Sequence, residues 1–321
     1  MIVDSLGRRF RNLRLSLTAA CNYACEYCVP DGKRLQTAAH ELSAAEMLRA
    51  VELLIEAAGI EKVRITGGEP LLSPKFDELL PELMGLPLTD VAITTNGQLV
   101  ARKIDTIVRS GVKRINLSLD TLDAERFPVI AKSGDLETVL HGIDLLQEAG
   151  VRLKVNMVPV RSLNADQLVP LLEFCFERGI ELRYIELMNM GYLRSSNRYV
   201  HEFIGMEEIL HAIGERYEYA RTDAPYDSTA VRFEVPGEGV FGIIANESEP
   251  FCSSCTRLRL ASNGHLYGCL SNTSSHAIAP ILSMSQHLAL AALQRVMVAA
   301  LGDKQDLAFH GETTVMKFIG G

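Results

Sequence analysis

The chain has 321 residues, of which 47% are hydrophobic, and it carries a formal net charge of −8 at neutral pH. This length fits one large α/β domain with a smaller appended region. The acidic balance argues against a broad basic face for nucleic acid, so we expect no nucleic-acid partner, and any anionic ligand needs a local cluster of Lys and Arg.

The sequence carries no signal for secretion or membrane insertion. Its first segment, MIVDSLGRRFRNL, has no apolar core, and no run of about 18 apolar residues follows. Seven cysteines, arranged as two tight groups and Cys175, differ from a disulfide framework and suit a reducing compartment. We therefore expect a cytoplasmic protein without a membrane partner, whose thiolates bind metal.

Six short runs rich in β-branched residues are predicted as strands, and the stretches between them have helical periodicity. The runs are LRLSLT at 13–18, KVRITGG at 62–68, VAITTNG at 91–97, RINLSLD at 114–120, LKVNMVPV at 153–160 and LRYIELM at 182–188. Repeated strand–helix units favour parallel strands with right-handed crossovers. We therefore predict an α/β fold in which residues 1–190 form a partial (β/α)6 TIM-like barrel, with the active site at the carboxyl ends of the strands.

A second region is predicted over residues 191–321, where the pattern changes to a polar loop, a short helix and further β-like runs. The segment FCSSCTRLRLASNGHLYGCL has two alternating arms around Asn263-Gly264, which predicts a hairpin. We expect this region to form a C-terminal extension that carries the second group of cysteines. A homodimer is compatible with the sequence, which has no signal for oligomeric state.

Cys21, Cys25 and Cys28 form a C-x3-C-x2-C motif directly after the first predicted strand. Three thiolates without a fourth cysteine leave one iron of an iron–sulfur cluster open to a small molecule. A zinc site would usually combine C-x2-C pairs with a fourth Cys or His nearby, and His40 lacks that spacing. The motif favours an iron–sulfur loop over a zinc site or incidental cysteines.

Cys252, Cys255 and Cys269 form the second group, and His265 lies between the last two. By residue type alone, this set suits a zinc ion about as well as an iron–sulfur cluster. A zinc-binding interaction protein is therefore an alternative to an enzyme on these residues.

Basic residues recur on the predicted strands and after the second cysteine pair. They are Arg14, Lys62, Arg64, Lys154, Arg183, Arg257 and Arg259. Interior positions of an α/β barrel are normally apolar, so charges there are costly unless they face a polar cavity or an anion. Arg257 and Arg259 alternate on a predicted strand and therefore share one face.

The C-x3-C-x2-C motif followed by GGEP on the next strand resembles the radical S-adenosylmethionine superfamily. The resemblance implies a [4Fe–4S] cluster on Cys21, Cys25 and Cys28, with S-adenosylmethionine bound at its open iron. Glycines let the backbone approach the cofactor, and Glu69 can accept from its ammonium. The cofactor contacts that the resemblance implies are Tyr27, Gly68, Glu69, Thr95, Ser118 and Met188.

The whole chain, from LRLSLT to Gly320-Gly321, resembles the GTP 3′,8-cyclase family of molybdenum-cofactor biosynthesis. This implies a second [4Fe–4S] cluster on Cys252, Cys255 and Cys269, and GTP bound by the seven basic residues above. It also implies catalytic roles for Arg257, Arg259, Gly320 and Gly321. A 5′-deoxyadenosyl radical would remove the C3′ hydrogen of GTP, the C3′ radical would attack C8, and reduction would then give (8S)-3′,8-cyclo-7,8-dihydro-GTP.

The same resemblance implies two protein partners. They are a reductant such as flavodoxin or ferredoxin, and a cyclic pyranopterin monophosphate synthase that takes the product. A peptide-modifying radical enzyme with an auxiliary cluster is the alternative, although it has no need for so many channel cations. The sequence departs from the family pattern at Ala19, Ala24 and Thr256, and the Arg that commonly follows GGEPL is replaced within LLSPKF.

Overall fold

The structure is a computed structural model that describes residues 2–29, 37–195, 197–224 and 228–311. Its strands are β1 (Asn12–Ser16), β2 (Lys62–Thr66), β3 (Asp90–Thr95), β4 (Arg114–Ser118), β5 (Arg152–Met157), β6 (Glu181–Ile185), β7 (Ala220–Thr222), β8 (Val231–Val235), β9 (Gly239–Ile244), β10 (Arg257–Leu260), β11 (His265–Tyr267) and β12 (His276–Ala277). Its helices are α1 (Ala44–Ala58), α2 (Phe76–Gly85), α3 (Val100–Ser110), α4 (Phe127–Ala131), α5 (Leu136–Glu148), α6 (Arg161–Asn164), α7 (Leu168–Glu177), α8 (Arg198–Glu202), α9 (Met206–Gly214), α10 (Ala279–Leu282) and α11 (Gln286–Gly302).

The first six strands are parallel and lie side by side in sequence order, as the α/β prediction requires. β10 adds to the outer edge of β1 and β9 adds to the outer edge of β6, both in parallel. Across the described residues, β1 and β6 do not pair with each other, so the sheet is a partial barrel. The C-terminal extension therefore supplies strands to both edges, and the predicted division after residue 190 stays a prediction.

Side chains alternate along the parallel strands between the helix-covered face and the interior face. On β1, Leu13 and Leu15 are buried in the main hydrophobic core, whereas Arg14 between them lines interior cavities. β2 repeats the pattern, with Arg64 between two buried apolar residues. Because the side-chain period of a strand is two, this alternation directs the basic residues into the interior.

The helices cover the outer face through sequence signals that are local. α1 begins with a capping box between Ser43 and Glu46 and ends at Gly59, whose φ of 71° suits glycine. Its buried face includes Met47, Val51 and Leu54, which belong to the main core. In the described part of the chain, no helix is both long and apolar enough to cross a membrane.

The predicted hairpin is present as β10 and β11, with Leu260 opposite Leu266. Gly264 has a φ of 79°, which a glycine adopts at no steric cost in a tight turn. Because the two strands run antiparallel, the segment before β10 and the segment after β11 meet at one end. The hairpin thus brings Cys269 towards Cys252 and Cys255 despite the long spacing in sequence.

Tyr184 on β6 gives a test of the packing between β6 and α7. Its side chain is fully buried, and its hydroxyl donates to the Leu168 carbonyl oxygen at 2.7 Å. We expect Tyr184→Phe to lower the free energy of unfolding by about 1 kcal/mol, because one buried hydrogen bond to the Leu168 carbonyl is lost. Urea denaturation measures the free energy of unfolding of the variant and of the parent chain. The half-exposed Tyr217, whose hydroxyl contacts Glu173, is the matched control, and an equal loss in Tyr217→Phe would contradict the argument.

Candidate active site

The first cysteine group lies at the carboxyl ends of the parallel strands, around a cavity of about 280 Å³. Cys21 is buried, and Cys25 and Cys28 are half-buried. The cavity is lined by all three cysteines and by every cofactor contact that the sequence predicted, which are Tyr27, Gly68, Glu69, Thr95, Ser118 and Met188. Their roles stay predictions, but the structure brings the whole set to one place.

The cysteine loop is fastened to neighbouring elements through its backbone and one tyrosine. The Ala24 amide, at one of the positions that depart from the family pattern, donates to the Ala131 carbonyl oxygen at 3.0 Å. The Tyr27 hydroxyl donates to Asp120 at 2.7 Å, and Asp120 also accepts from the Val158 amide at 2.8 Å. Burial raises the pKa of Asp120 to about 6 against these two hydrogen bonds. Sequence reasoning missed Asp120, although it ends the predicted strand RINLSLD.

Glu69 is a fully buried carboxylate on the wall of the same cavity. It accepts from the Asn96 amide at 2.8 Å, the Leu71 amide at 3.0 Å and the Thr95 hydroxyl at 2.7 Å. Burial nevertheless raises the pKa of Glu69 to about 7. No basic partner of Glu69 is present among its described hydrogen bonds, so a cationic ligand in the cavity would stabilise its charged form.

Besides Nε of the predicted Arg183, two polar atoms on the cavity wall are buried without a hydrogen-bond partner among the described residues. They are Thr66 Oγ1 and Asn156 Oδ1. Buried polar groups are costly when unpaired, so their presence fits a polar ligand in this cavity. Both residues were missed from the sequence, where they read as ordinary polar residues of strands.

The second cysteine group lies around a smaller cavity of about 60 Å³, together with Arg257 and Arg259. Burial disfavours the Cys255 thiolate, but Arg257 and Lys304 outweigh it and lower the pKa of Cys255 to about 5. Three cysteine thiols beside Arg257, Arg259 and Lys304 suit a metal centre or cluster that is ligated by thiolates. Within residues 2–29, 37–195, 197–224 and 228–311, no three His, Cys, Asp or Glu side chains are arranged to hold a single metal ion.

His265, the residue that left a zinc site open as an alternative, lies on β11 and contacts the Ser275 hydroxyl through Nδ1 at 3.0 Å. It does not line the cavity that the three cysteines share. The structure therefore does not bring His265 to the second cysteine group.

Three arginines lie at one level across three adjacent strands. Arg14 on β1 is opposite Arg259 on β10 and opposite Arg64 on β2. Neighbouring strands are about 4.8 Å apart, and like charges directly opposite each other are destabilising. Burial and the guanidinium groups of Arg259 and Arg64 hold the pKa of Arg14 well below its usual value. Since arginine stays protonated in proteins, this marks a strongly positive local potential.

A third cavity, of about 320 Å³, continues this positive potential to the amino ends of the strands. Among the described residues that line it, eight are basic, namely Arg14, Lys62, Arg64, Arg114, Lys154, Arg183, Arg232 and Arg257, and two are acidic, namely Asp90 and Glu181. Glu181 pairs with Lys154 at 2.7 Å and with Arg232 at 3.2 Å, and Asp90 pairs with Arg114. The site therefore extends beyond the carboxyl ends of the strands, where the sequence placed it.

The three cavities adjoin, because they share lining residues. Arg14, Arg64 and Arg183 line both the first cavity and the basic cavity, and Arg257 lines all three. Met188 lines the first cavity and the cavity of the second cysteine group. All seven predicted basic residues thus line one channel formed by the three cavities, in which Lys62 and Lys154 line only the basic cavity. Sequence reasoning missed Arg114 and Arg232, and Gly320 and Gly321 lie outside the described residues.

Two other departures from the family pattern occupy structural contacts. The Ala19 amide donates to Glu41 at 3.2 Å, and Glu41 pairs with Lys75 at 3.0 Å. The Thr256 hydroxyl accepts from Asn12 Nδ2 at 2.6 Å, where β10 begins beside β1. These positions support the cysteine loop and the edge strand.

Comparison with known proteins relates both halves of the chain to described families. Residues 15–175 match the radical SAM superfamily, and residues 180–309 match the Molybdenum Cofactor Synthesis C family. The chain is 35% identical over 320 residues to a GTP 3′,8-cyclase of Synechocystis sp., covering 100% of this chain and 95% of that relative. It is 36% identical over 273 residues to a GTP 3′,8-cyclase of Campylobacter fetus, covering 84% of this chain and 83% of that relative.

A solved structure shares the fold. Streptococcus suis SuiB bound to S-adenosylmethionine matches with a TM-score of 0.60 and 17% sequence identity. The match covers 84% of this chain and 63% of SuiB, so this chain spans less than two thirds of the SuiB length. At this identity the likeness concerns the fold alone.

Gly68 gives a test of how GGEP supports the cysteine loop. A Cβ at Gly68 would lie 2.3 Å from the Ala20 carbonyl oxygen and 2.5 Å from that of Ala19. We expect Gly68→Ala to displace the loop and to lower the iron bound by the first cysteine group at least about twofold after anaerobic reconstitution. Gly85→Ala is the control, because a Cβ there meets nothing within 4 Å. Equal iron in both variants would show that the close approach has no effect.

Proposed function

We propose that this chain, which belongs to the GTP 3′,8-cyclase family of the radical S-adenosylmethionine superfamily, converts GTP to (8S)-3′,8-cyclo-7,8-dihydro-GTP in molybdenum-cofactor biosynthesis. The observation that carries the proposal is the cationic channel between the two cysteine groups. A nucleoside triphosphate is a ligand that needs both a strong local positive charge and a reactive centre nearby.

The basic cavity supplies the charge. A triphosphate carries about four negative charges, and arginines bind phosphate oxygens through paired N–H donors. Arg14, Arg64 and Arg259 meet at one level, and Lys154 and Arg183 line the adjoining wall. We infer that these residues hold the triphosphate, while Arg257 lies where all three cavities adjoin. Binding of the triphosphate would relieve the repulsion between the arginines.

The first cavity supplies the cofactor site. Its cysteines would hold a [4Fe–4S] cluster, and Glu69 would accept from the ammonium of S-adenosylmethionine. Thr95 positions Glu69 through their hydrogen bond, and Gly68 keeps the backbone close to the loop. When bound, the cluster and S-adenosylmethionine supply a 5′-deoxyadenosyl radical that removes the C3′ hydrogen of GTP. Apolar residues such as Phe127 and Ile130 on the cavity wall exclude water from this chemistry.

The second cysteine group would hold a second [4Fe–4S] cluster with one open iron. Cys252, Cys255 and Cys269 supply three thiols, and Arg257 and Lys304 favour the thiolate of Cys255. The guanine edge of GTP would complete the coordination of this cluster. Such a placement sets the ribose of GTP between the two cysteine groups, on the Met188 side of the first cavity.

The diglycine end is assigned to the same channel. Gly311, the last described residue, packs against the Asn189 backbone, and its carbonyl oxygen accepts from Arg194. Met188 and Met190, on either side of Asn189, line the first cavity. We therefore propose this cavity as the place where Gly320 and Gly321, outside the described residues, act, because glycines pass there without side-chain clashes.

The proposal also includes protein partners and a cellular location. We assign a reductant such as flavodoxin or ferredoxin, a cyclic pyranopterin monophosphate synthase as consumer of the product, and a cytoplasmic location. A homodimer and a division into regions 1–190 and 191–321 belong to this proposal as well.

Turnover of GTP tests the function directly. The chain, reconstituted anaerobically and given GTP, S-adenosylmethionine and reductant, should form 5′-deoxyadenosine and a cyclised nucleotide. Arg64→Gln should lower kcat/KM for GTP by about tenfold or more, because one charged hydrogen-bond partner of the phosphates is lost. Arg102→Gln, at an exposed position on α3, should leave it unchanged. Deoxyadenosine without a cyclised nucleotide would contradict the assignment of the substrate.

Glu69 gives a pH test of cofactor binding. Its carboxylate must be charged to accept the cofactor ammonium, and burial raises the pKa of Glu69 to about 7. The affinity for S-adenosylmethionine should therefore rise with pH, by up to about tenfold per unit, from about pH 5.5 towards pH 7, where the ammonium stays protonated. Glu69→Gln should bind more weakly and without this slope. Calorimetry on the cluster-loaded protein measures both, and an unchanged slope in the variant would assign it to another group.

A further inference from the structure

Lys304, just after α11, is a buried cation beside the second cysteine group. Its side chain belongs to a residue that is 8% exposed, and its ammonium donates three hydrogen bonds. The acceptors are Cys255 Sγ at 3.2 Å, the Arg257 carbonyl oxygen at 3.0 Å and the Gly268 carbonyl oxygen at 3.1 Å. An ammonium has three protons, so all of its donors are used within this one cluster of groups.

The acceptors lie on both sides of the hairpin. Arg257 follows Cys255 by two residues at the start of β10, and Gly268 directly precedes Cys269 after β11. The ammonium of Lys304 therefore joins the two chain segments that carry these cysteines. Gly268 is also in close contact with α11, because an added Cβ would lie 1.7 Å from the Ala300 carbonyl oxygen.

The remaining cysteine is joined to the same segment by Arg8. The Arg8 guanidinium is buried and donates to the Cys252 carbonyl oxygen and to the Gln305 carbonyl oxygen. Residues 304 and 305 thus contact the surroundings of all three cysteines. No sequence signal marks Lys304, because it stands in the polar run GDKQD.

The electrostatics favour a thiolate as the counter-ion of Lys304. A buried ammonium is costly unless it is paired, and none of its described hydrogen bonds goes to a carboxylate. The Phe10 ring, with its centroid 5.2 Å from Nζ, adds a weaker cation–π contact. Of the three acceptors, only Cys255 can carry a full negative charge.

We propose that Lys304 is a positioning residue for the second iron–sulfur cluster, holding Cys255 and Cys269 at cluster spacing and donating to the Cys255 sulfur. This inference rests on the proposed function, which assigns a cluster to that group. Hydrogen bonds and positive charge at a ligating sulfur stabilise the reduced, more negative state of a cluster. Lys304 therefore raises the reduction potential of the second cluster as well as securing it.

The experiment uses the full chain with Cys21, Cys25 and Cys28 replaced by alanine, so that bound iron reports the second group. Lys304→Gln is compared with Lys304→Arg, which keeps a charged donor, and with Lys103→Gln. Lys103 is the control, because it also lies over an aromatic ring, but its described ion pair is with Asp77 on α2, away from both cysteine groups. Iron and sulfide content, release of iron to a chelator, and potentiometry followed by electron paramagnetic resonance are measured.

Lys304→Gln should release iron about tenfold faster and shift the potential of the remaining cluster to a more negative value. Lys304→Arg should restore most of both properties, and Lys103→Gln should match the parent. An unchanged release rate and potential in Lys304→Gln would overturn the proposal.

Folding is checked in the chain with both cysteine groups intact. There, Lys304→Gln should keep the about four irons of the first cluster and its binding of S-adenosylmethionine. If Lys304→Gln lost both clusters together, Lys304 would be needed for the fold as a whole, and this would overturn its specific role at the second cluster. A parent chain that binds no second cluster would instead refute the proposed function itself, and Lys304 with it, before any variant is compared.

Discussion

The repulsion between Arg14, Arg64 and Arg259 is the constraint that organises the interior of this protein. Three guanidinium groups at one level of a sheet, about 4.8 Å apart between strands, are tolerated only where an anion is expected. Folding energy from the apolar outer face, where Leu13, Leu15 and their neighbours are buried, offsets this cost in the absence of ligand. The interior is therefore prepared for a charged ligand at the expense of its own stability.

The C-terminal extension completes this interior by pairing with the edge of the barrel. β10 adds to β1 in parallel, so Arg259 joins Arg14 and the second cysteine group comes to the side of the first cavity. The hairpin and Lys304 then bring Cys269 to the Cys252 and Cys255 pair, which lies far from it in sequence. One channel therefore depends on three features: the turn between β10 and β11, the pairing of β10 with β1, and the buried ammonium of Lys304.

The sequence predicted what depends on local patterns. The six strands follow from β-branched runs, the hairpin follows from Asn263-Gly264, and the cysteine motifs and basic strand residues all reached the channel. It could not predict the parallel pairing of β9 and β10 with the barrel edges, because no local signal selects a distant partner strand. Asp120 and Lys304 were missed for a related reason, since their function arises only from burial beside groups remote in sequence.

The carboxylates of the channel lie on the side of the first cysteine group, and this placement can sort the two ligands. Glu69 and Asp120 line the first cavity, which shares its arginines with the neighbouring cavities, whereas no carboxylate is among the described residues that line the cavity of the second cysteine group. S-adenosylmethionine, with a sulfonium, an ammonium and one carboxylate, is a net cation, and a nucleoside triphosphate is an anion. In a low-dielectric channel, the cation would therefore be held at the first cysteine group and repelled from the second, where Arg257, Arg259 and Lys304 lie together. The uneven placement of the carboxylates thus leaves the cations around the second cysteine group to an anionic ligand.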